Sequence, residues 1–358
     1  MSAAYINRIG TAVPPHDVHQ HFIAYALSRF SSEGPRRVFR RLVEKSQIEH
    51  RYSHLKPQTD GTDLDCSGFY RPGQFPDTGV RMRFFEKHAP ELAAAALDDA
   101  GFVDVKDEIT HLIVVSCTGF YAPGLDLEIV TRFRLRADVE RTFVGFMGCY
   151  AALNALTLAR HIVRSDPRAK VAVVSVELCT LHLQEGAEID EMLRFLIWGD
   201  GASACIVSAE PTGLRLRSFH ATVIPQSQEL IAWRIGTSGF DLGLSSKLPR
   251  TLSAALPEKL PSLMGGVAPA DIRLWAVHAG GRAILDAAGE AIGLPPDALR
   301  HSRSVLQQFG NMSSATILFV LRDMMREAAG RIGDLGCAIA FGPGLTAQSM
   351  IFEAVHAG

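Results

Sequence analysis

Apolar and polar positions along this chain fall into short blocks that predict an α/β protein. Tyr5 to Gly10 reads as a strand, Val13 to Val18 as a loop, and His19 to Phe30 as an amphipathic helix. Pro35 to Lys45 predicts a second helix, crowded with Arg36, Arg37, Arg40, Arg41 and Lys45. A stretch rich in Gly, Pro and Asp runs to about Thr78. A third helix is expected over Arg83 to Asp99, with Pro90 near its first turns. Beyond it come strand-like runs at His111 to Cys117, Thr142 to Phe146, Lys170 to Glu177 and Ala202 to Ser208. The later half offers Arg273 to Val277, Cys337 to Phe341 and Ala347 to Val355.

The second half restates the first. In one, an apolar strand starts about 38 residues before Cys149 and the buried-looking helix Tyr150 to Val163. In the other, a strand starts about as far before Asn311 and the apolar run Met312 to Met325. The pattern predicts two pseudo-symmetric halves, 1–210 and 211–358, meeting near Glu210-Pro211-Thr212-Gly213, with parallel strands in each. Equivalent strand-to-helix junctions in such a duplication face one another at the carboxyl ends of the strands, where ligands bind. Cys149 and Asn311 occupy those junctions, and His278 ends a strand between them. A thiol on the first turn of a helix meets unpaired N–H groups and a favourable dipole, so Cys149 is expected to ionise more readily than a free thiol. Taken alone, such a cysteine is more often a small packing residue.

Composition narrows the classes. With 358 residues, 47% hydrophobic and 21% charged, there is ample material for a large core. A net charge of −2 gives no global attraction to nucleic acid or to an anionic membrane. No secretory leader or span of roughly 18–20 apolar residues is seen. The six cysteines lack CxxC spacing and read as reduced thiols in a cytoplasmic protein, not as a disulfide frame or metal site.

Three stretches stand together as chemistry: Gly148-Cys149, His278-Ala279-Gly280-Gly281 and Gly310-Asn311-Met312-Ser313-Ser314. They resemble the Cys-His-Asn triad of the thiolase-fold condensing enzymes. The Asn stretch and the closing Phe341-Gly342-Pro343-Gly344-Leu345-Thr346 resemble the type III polyketide synthases, the chalcone-synthase-like group, and the residues at Ala122, Cys179, His182, Trp198 and Trp233 look more like its bacterial branch. Trp198-Gly199-Asp200-Gly201-Ala202 is similar to that family's gatekeeper stretch. The resemblance implies a layered αβαβα thiolase-like fold and a homodimeric acyltransferase. Such an enzyme loads an acyl-CoA starter, extends it repeatedly with malonyl-CoA and closes a pyrone or a resorcinol- or phloroglucinol-type ring, without metal or cofactor.

The same resemblance implies residue roles. Cys149 is the nucleophile, held as thiolate by His278, and His278 with Asn311 stabilises the enolate of decarboxylated malonyl-CoA. Trp198 and Leu242 take the two gatekeeper positions, and Cys179, His182, Trp233 and Ser313 line the cavity. Ala122 stands where the family sends a side chain across the dimer interface. Arg41, Lys45 and Ala283 fall at coenzyme A contacts, while a third basic position is Val38, leaving Arg36 or Arg37 as substitutes. Ala340 replaces a loop glycine and is expected to tighten that turn. Competing readings are a ketoacyl-carrier-protein synthase III with one condensation, a non-catalytic acyl-CoA-binding scaffold, and a papain-like hydrolase. The duplication and the Cys149 surroundings disfavour the hydrolase.

Overall fold

The computed structural model describes residues 2–58, 64–186, 188–327 and 330–356. The chain opens with β1 (Tyr5–Ala12), the short β2 (His16–Asp17), α1 (His19–Arg29), α2 (Glu33–Ser46), β3 (Tyr52–Ser53) and α3 (Thr78–Asp99). It continues through β4 (His111–Ser116), α4 (Leu125–Phe133), β5 (Glu140–Gly145), α5 (Ala151–Ser165), β6 (Val171–Leu178), α6 (Ile189–Leu196) and β7 (Asp200–Ser208). Then follow β8 (Gly213–Val223), the hairpin β9 (Ile231–Gly236) and β10 (Gly239–Leu244), α7 (Leu248–Met264) and β11 (Ile272–Val277). The last elements are α8 (Arg282–Ile292), α9 (Arg300–Phe309), α10 (Thr316–Arg326), β12 (Leu335–Gly342) and β13 (Thr346–His356).

Nine strands form one mixed sheet in the order β11-β12-β13-β8-β1-β7-β6-β4-β5. Parallel pairing is confined to β4–β5, β4–β6 and β11–β12, and every other pair in it is antiparallel. The expectation of parallel halves therefore holds only for their outer strands. Short connections such as Pro343-Gly344-Leu345, between β12 and β13, force an antiparallel return.

Three cores show the layering. α3 and α4 pack on one face of β4, β6 and β7, while α7 and α8 pack on β11 and β12. Between them lie the two apolar helices α5 and α10, buried together with strands from both halves. α5 begins Ala151-Ala152-Leu153, all buried, and seven of the first nine positions of α10 are buried as well. Helices buried on nearly all sides belong in a middle layer. The arrangement is the expected αβαβα stack.

α3 starts five residues earlier than expected, because the Asp77 carboxylate accepts from Val80 N at 2.8 Å and caps it. Pro90 consequently lies deep inside this helix of 22 residues, not near its first turns. Ala340 is likewise no turn residue: it sits in β12 opposite Gln348, fully buried, and the turn begins after Gly342. Among the described residues no helix is long and apolar enough to cross a membrane.

Candidate active site

β5 delivers the chain to Phe146 and Gly148, both with positive φ, and a 3-10 turn over Gly148–Tyr150 leads into α5. A side chain at Gly148 would place its Cβ 2.3 Å from the Pro343 ring, so only glycine lets the turn after β12 close over Cys149. The second junction departs from the expected strand-to-helix turn: α9, not a strand, leads through Gly310 to Asn311, and the 3-10 turn Ser313–Ala315 then runs into α10. The two turns meet: Cys149 Sγ lies 3.7 Å from Ser313 Oγ. The Asn311 amide is oriented at both ends, its Oδ1 accepting from Ser313 N at 2.9 Å and its Nδ2 donating to Gly280 O at 3.2 Å. His278 follows β11 directly, its N–H continuing the ladder to Ile339 O at 2.8 Å. Its ring is buried, and neither nitrogen has a hydrogen-bond partner among the described residues.

Cys149, His278 and Asn311 line one cavity of about 50 Å³, walled also by Trp198, Leu242 and Phe341. A lobe of about 40 Å³ shares Cys149, Trp198 and Leu242 and adds Cys179, Trp233 and Ser313. Trp233 is latched by its Nε1 donating to Cys117 O at 2.8 Å.

Burial sets the charges here. Desolvation pushes the Cys149 thiol up to about 12, with the Glu177 carboxylate adding to the rise and hydrogen bonds from Ser313 and Asn311 opposing it. Burial also holds His278 down to about 3. Burial thus acts against the expected thiolate–imidazolium pair, raising the Cys149 thiol and lowering the His278 imidazole. The dipole of a helix end is worth less than the cost of placing charge in an apolar cavity.

Other expected residues fare differently. His182 is fully buried but lines neither lobe. Its Nδ1 accepts from Phe240 N at 3.1 Å and its Nε2 donates to Thr118 O at 2.8 Å, so it buttresses the wall from behind. Ala122 is exposed and outside the cavity walls. Arg41 and Lys45 are exposed on α2, and Ala283 is exposed in the first turn of α8. Their helices face across a cleft of about 610 Å³ lined by Glu44, Gln47, Arg282 and Arg303. Arg36, one of the two expected substitutes for the position held by Val38, donates Nη2 to Phe30 O at 2.9 Å.

Glu177 and Arg51 were not anticipated. Glu177, fully buried beneath the cavity, accepts from Cys117 N at 3.0 Å, from Thr118 Oγ1 at 2.7 Å and from the Ser314 hydroxyl. Burial raises its carboxyl to about 7 against these bonds. A lone carboxylate inside the apolar run Val171–Leu178 was its visible signal. Arg51 donates Nη1 to Phe195 O at 3.0 Å and to Trp198 O at 2.7 Å, fixing the backbone at the cavity wall. Among the described residues no cluster of three or more His, Cys, Asp or Glu could hold a metal ion.

Comparison with known proteins agrees with this geometry. Residues 1–211 match the family described as chalcone and stilbene synthases, N-terminal domain, and residues 215–356 match its C-terminal domain. The chain is 31% identical to the alpha-pyrone synthesis polyketide synthase-like Pks18 of Mycobacterium tuberculosis, over 99% of this chain and 92% of that protein. PKS-I of the brown alga Ectocarpus siliculosus superposes with a TM-score of 0.88 at 27% identity, covering 99% of both chains. The 1,3,6,8-tetrahydroxynaphthalene synthase of Streptomyces coelicolor A3(2) does so with a TM-score of 0.87 at 27% identity, covering 98% of this chain and 99% of that one. Two family matches spanning nearly the whole sequence, on a layered fold shared with solved type III enzymes, place this chain in the chalcone and stilbene synthase family as a type III polyketide synthase, an acyltransferase acting on coenzyme A thioesters.

Proposed function

We propose that Cys149, His278 and Asn311 carry the iterative condensation. The observation that supports this most is their convergence on one cavity, with the Asn311 amide held in orientation by Ser313 N and Gly280 O. His278, neutral at rest, takes the thiol proton as Cys149 attacks the starter thioester, and coenzyme A leaves as its thiol. Malonyl-CoA then loses carbon dioxide. The electron pair of the broken C–C bond becomes an enolate, whose oxygen is met by the His278 ring and the second N–H of Asn311, each donor worth about 3 kcal/mol. The enolate carbon attacks the acyl carbonyl, the C–S bond to Cys149 breaks, and the lengthened thioester can be reloaded.

Trp198, Leu242, Cys179, Trp233 and Ser313 shape the growing chain before lactone or aldol closure, while His182 acts through the wall it supports. Arg41 and Lys45 on α2, with Ala283 on α8, bind the phosphates and the neighbouring part of coenzyme A. A second copy of the chain completes a homodimer. The exposed outer strand β5, with Phe143 39% exposed, and Met147 just beyond it, 40% exposed, support an interface there. We further read residues 1–210 and 211–358 as the two halves, and the six unpaired cysteines as those of a cytoplasmic enzyme. Mass spectrometry of products from malonyl-CoA and a starter panel tests this. Products with two or more malonyl-derived units, absent with Cys149→Ala, are expected. A single extension would instead assign a synthase III activity, and no product a scaffold.

A further inference from the structure

Away from Cys149, at the β11 edge of the sheet, a cleft of about 500 Å³ opens between the start of β11, the end of α8 and the start of α9. Small-molecule sites usually measure about 300–1,000 Å³. The cleft shares no lining residue with the two lobes at Cys149. Its floor is apolar, made by the buried side chains of Ile272, Leu274, Trp275 and Met324, with half-buried Leu294 beside them.

One side of the cleft favours negative charge. α9 begins there, with Arg300 and His301 in the lining. Leu299 holds the N-cap position without a capping side chain, and the first turn carries no acidic residue. The positive end of a ten-residue helix is therefore left uncapped by any side chain. A helix end alone would not make a site, but His301 adds a second feature. It is only 4% exposed, and its Nε2, shut off from solvent, has no hydrogen-bond partner among the described residues. A buried polar atom left so costs about 1–3 kcal/mol, which a ligand oxygen would relieve. Arg273 and Arg300 stand exposed at the rim.

The chain itself brings a carboxylate to this spot. Glu327, just past α10 and 59% exposed, places Oε2 3.5 Å from His301 Nε2 and 3.8 Å from Arg300 Nη2. Both distances exceed those of a normal hydrogen bond. Such an exposed pair contributes little, so Glu327 turns out to solvent at small cost. Asp297, the one acid in the lining, is itself exposed and is outnumbered by the two arginines.

We infer that this cleft is a second ligand site, for an amphipathic organic acid. The carboxylate, or an equally acidic enol oxygen, takes the place of Glu327 at His301, Arg300 and the α9 N-terminus. The apolar body lies over Leu274, Trp275 and Met324.

The test is isothermal titration of the full chain with 4-phenylbutanoate, with the matching cation 4-phenylbutylamine, and with the acidic enol 4-hydroxy-6-methyl-2-pyrone. The carboxylate is expected to bind and the amine is not. Glu327→Gln removes the competing carboxylate and is expected to tighten binding about two- to fivefold. Arg300→Ala is expected to weaken it about three- to tenfold. Both positions are exposed, so the variants keep the fold. A carboxylate held at Cys149 instead would respond to neither change. Binding that neither substitution moves, or an amine that binds as tightly, would overturn the assignment. So would the absence of binding by either acid, up to about 10 mM, in wild type and Glu327→Gln. Competition of the pyrone with the carboxylate would support the site and name ring-closed enols as a source of its ligand. Binding of the carboxylate alone would support it as a site for acids made elsewhere.

Discussion

Trp198 and Asn311 are joined through their backbones: Asn311 N–H donates to Ile197 O at 2.7 Å, and Gly199 N–H donates back to Asn311 O at 3.0 Å. The wall of the cavity and the amide proposed to meet the enolate oxygen are thereby two sides of one parallel bridge. Anything that displaces residues 197–199 moves Asn311.

Gly310 tests this coupling. Its φ is +68°, and an added Cβ would stand 2.6 Å from Ile197 O, the acceptor of the Asn311 N–H. Gly310→Ala is expected to cost about 1–3 kcal/mol of stability from backbone strain. It should also slow malonyl-CoA decarboxylation, measured as carbon dioxide release, by a larger factor than Cys149 acylation. Equal losses in both would refute the coupling.

Asn311→Ala should lower decarboxylation by about 10²–10³-fold while leaving acylation of Cys149 from a starter-CoA detectable by intact mass. Loss of acylation alone, with decarboxylation intact, would reverse the assignment.

The raised thiol predicts how ligand-free enzyme reacts with iodoacetamide. Since burial pushes Cys149 up to about 12, alkylation should be slow and should climb without a plateau between about pH 6 and 9. A plateau near neutral pH would show a preformed thiolate.

Much of the site was legible in the sequence, for a physical reason. Cys149 and His278 each follow a strand, Asn311 precedes the apolar α10, and a glycine stands within two residues of each, so these stretches are visible locally. The duplication then placed two of them opposite each other. Three-dimensional consequences were not legible. The ionisation of Cys149 depends on how tightly Trp198, Leu242 and Phe341 close around it, and burial overrode the helix-end argument. His182 was assigned to the cavity by position alone, yet Phe240 and Thr118 claim both its nitrogens. β8 escaped notice because its outward arginines, Arg215 and Arg217, pair with Glu353 of β13, a partner more than a hundred residues away.

Glu177 predicts a pH dependence of stability. Folded, its carboxyl holds a proton to about pH 7, while the unfolded chain releases it near 4.5. The native state binds more protons across that window, so stability falls as pH rises. The favourable share is complete below about 4.5 and lost as pH climbs through about 7. Asp200, raised by burial from 3.8 to about 7, adds a parallel share. Burial lowers His19, His182 and His278, which works in the opposite sense, so the Glu177 share is read as a difference between wild type and a variant. Glu177→Gln, neutral throughout and similar in shape, should gain melting temperature relative to wild type as pH is raised from about 5 to 8 in calorimetric scans. A difference that does not change with pH would show that Glu177 is ionised well below neutrality.

Arg41→Ala and Lys45→Ala should each raise KM for acyl-CoA by about two- to fivefold with little change in kcat, because exposed charges are well screened. The increase should shrink in high salt. A fall in kcat at constant KM would move these residues out of coenzyme binding.

The strand order carries a consequence for biosynthesis. β1, made first, lies between β7 and β8, and β13, made last, is inserted between β12 and β8. The earliest strand therefore leaves the ribosome some two hundred residues before either neighbour exists, and the sheet closes only with the final segment. At about 5–20 residues per second, β1 spends roughly 10–40 s with both edges bare. Synonymous changes that slow translation between β1 and β7 should therefore lower soluble yield, and added holdase chaperone should restore it, without altering a single residue of the enzyme.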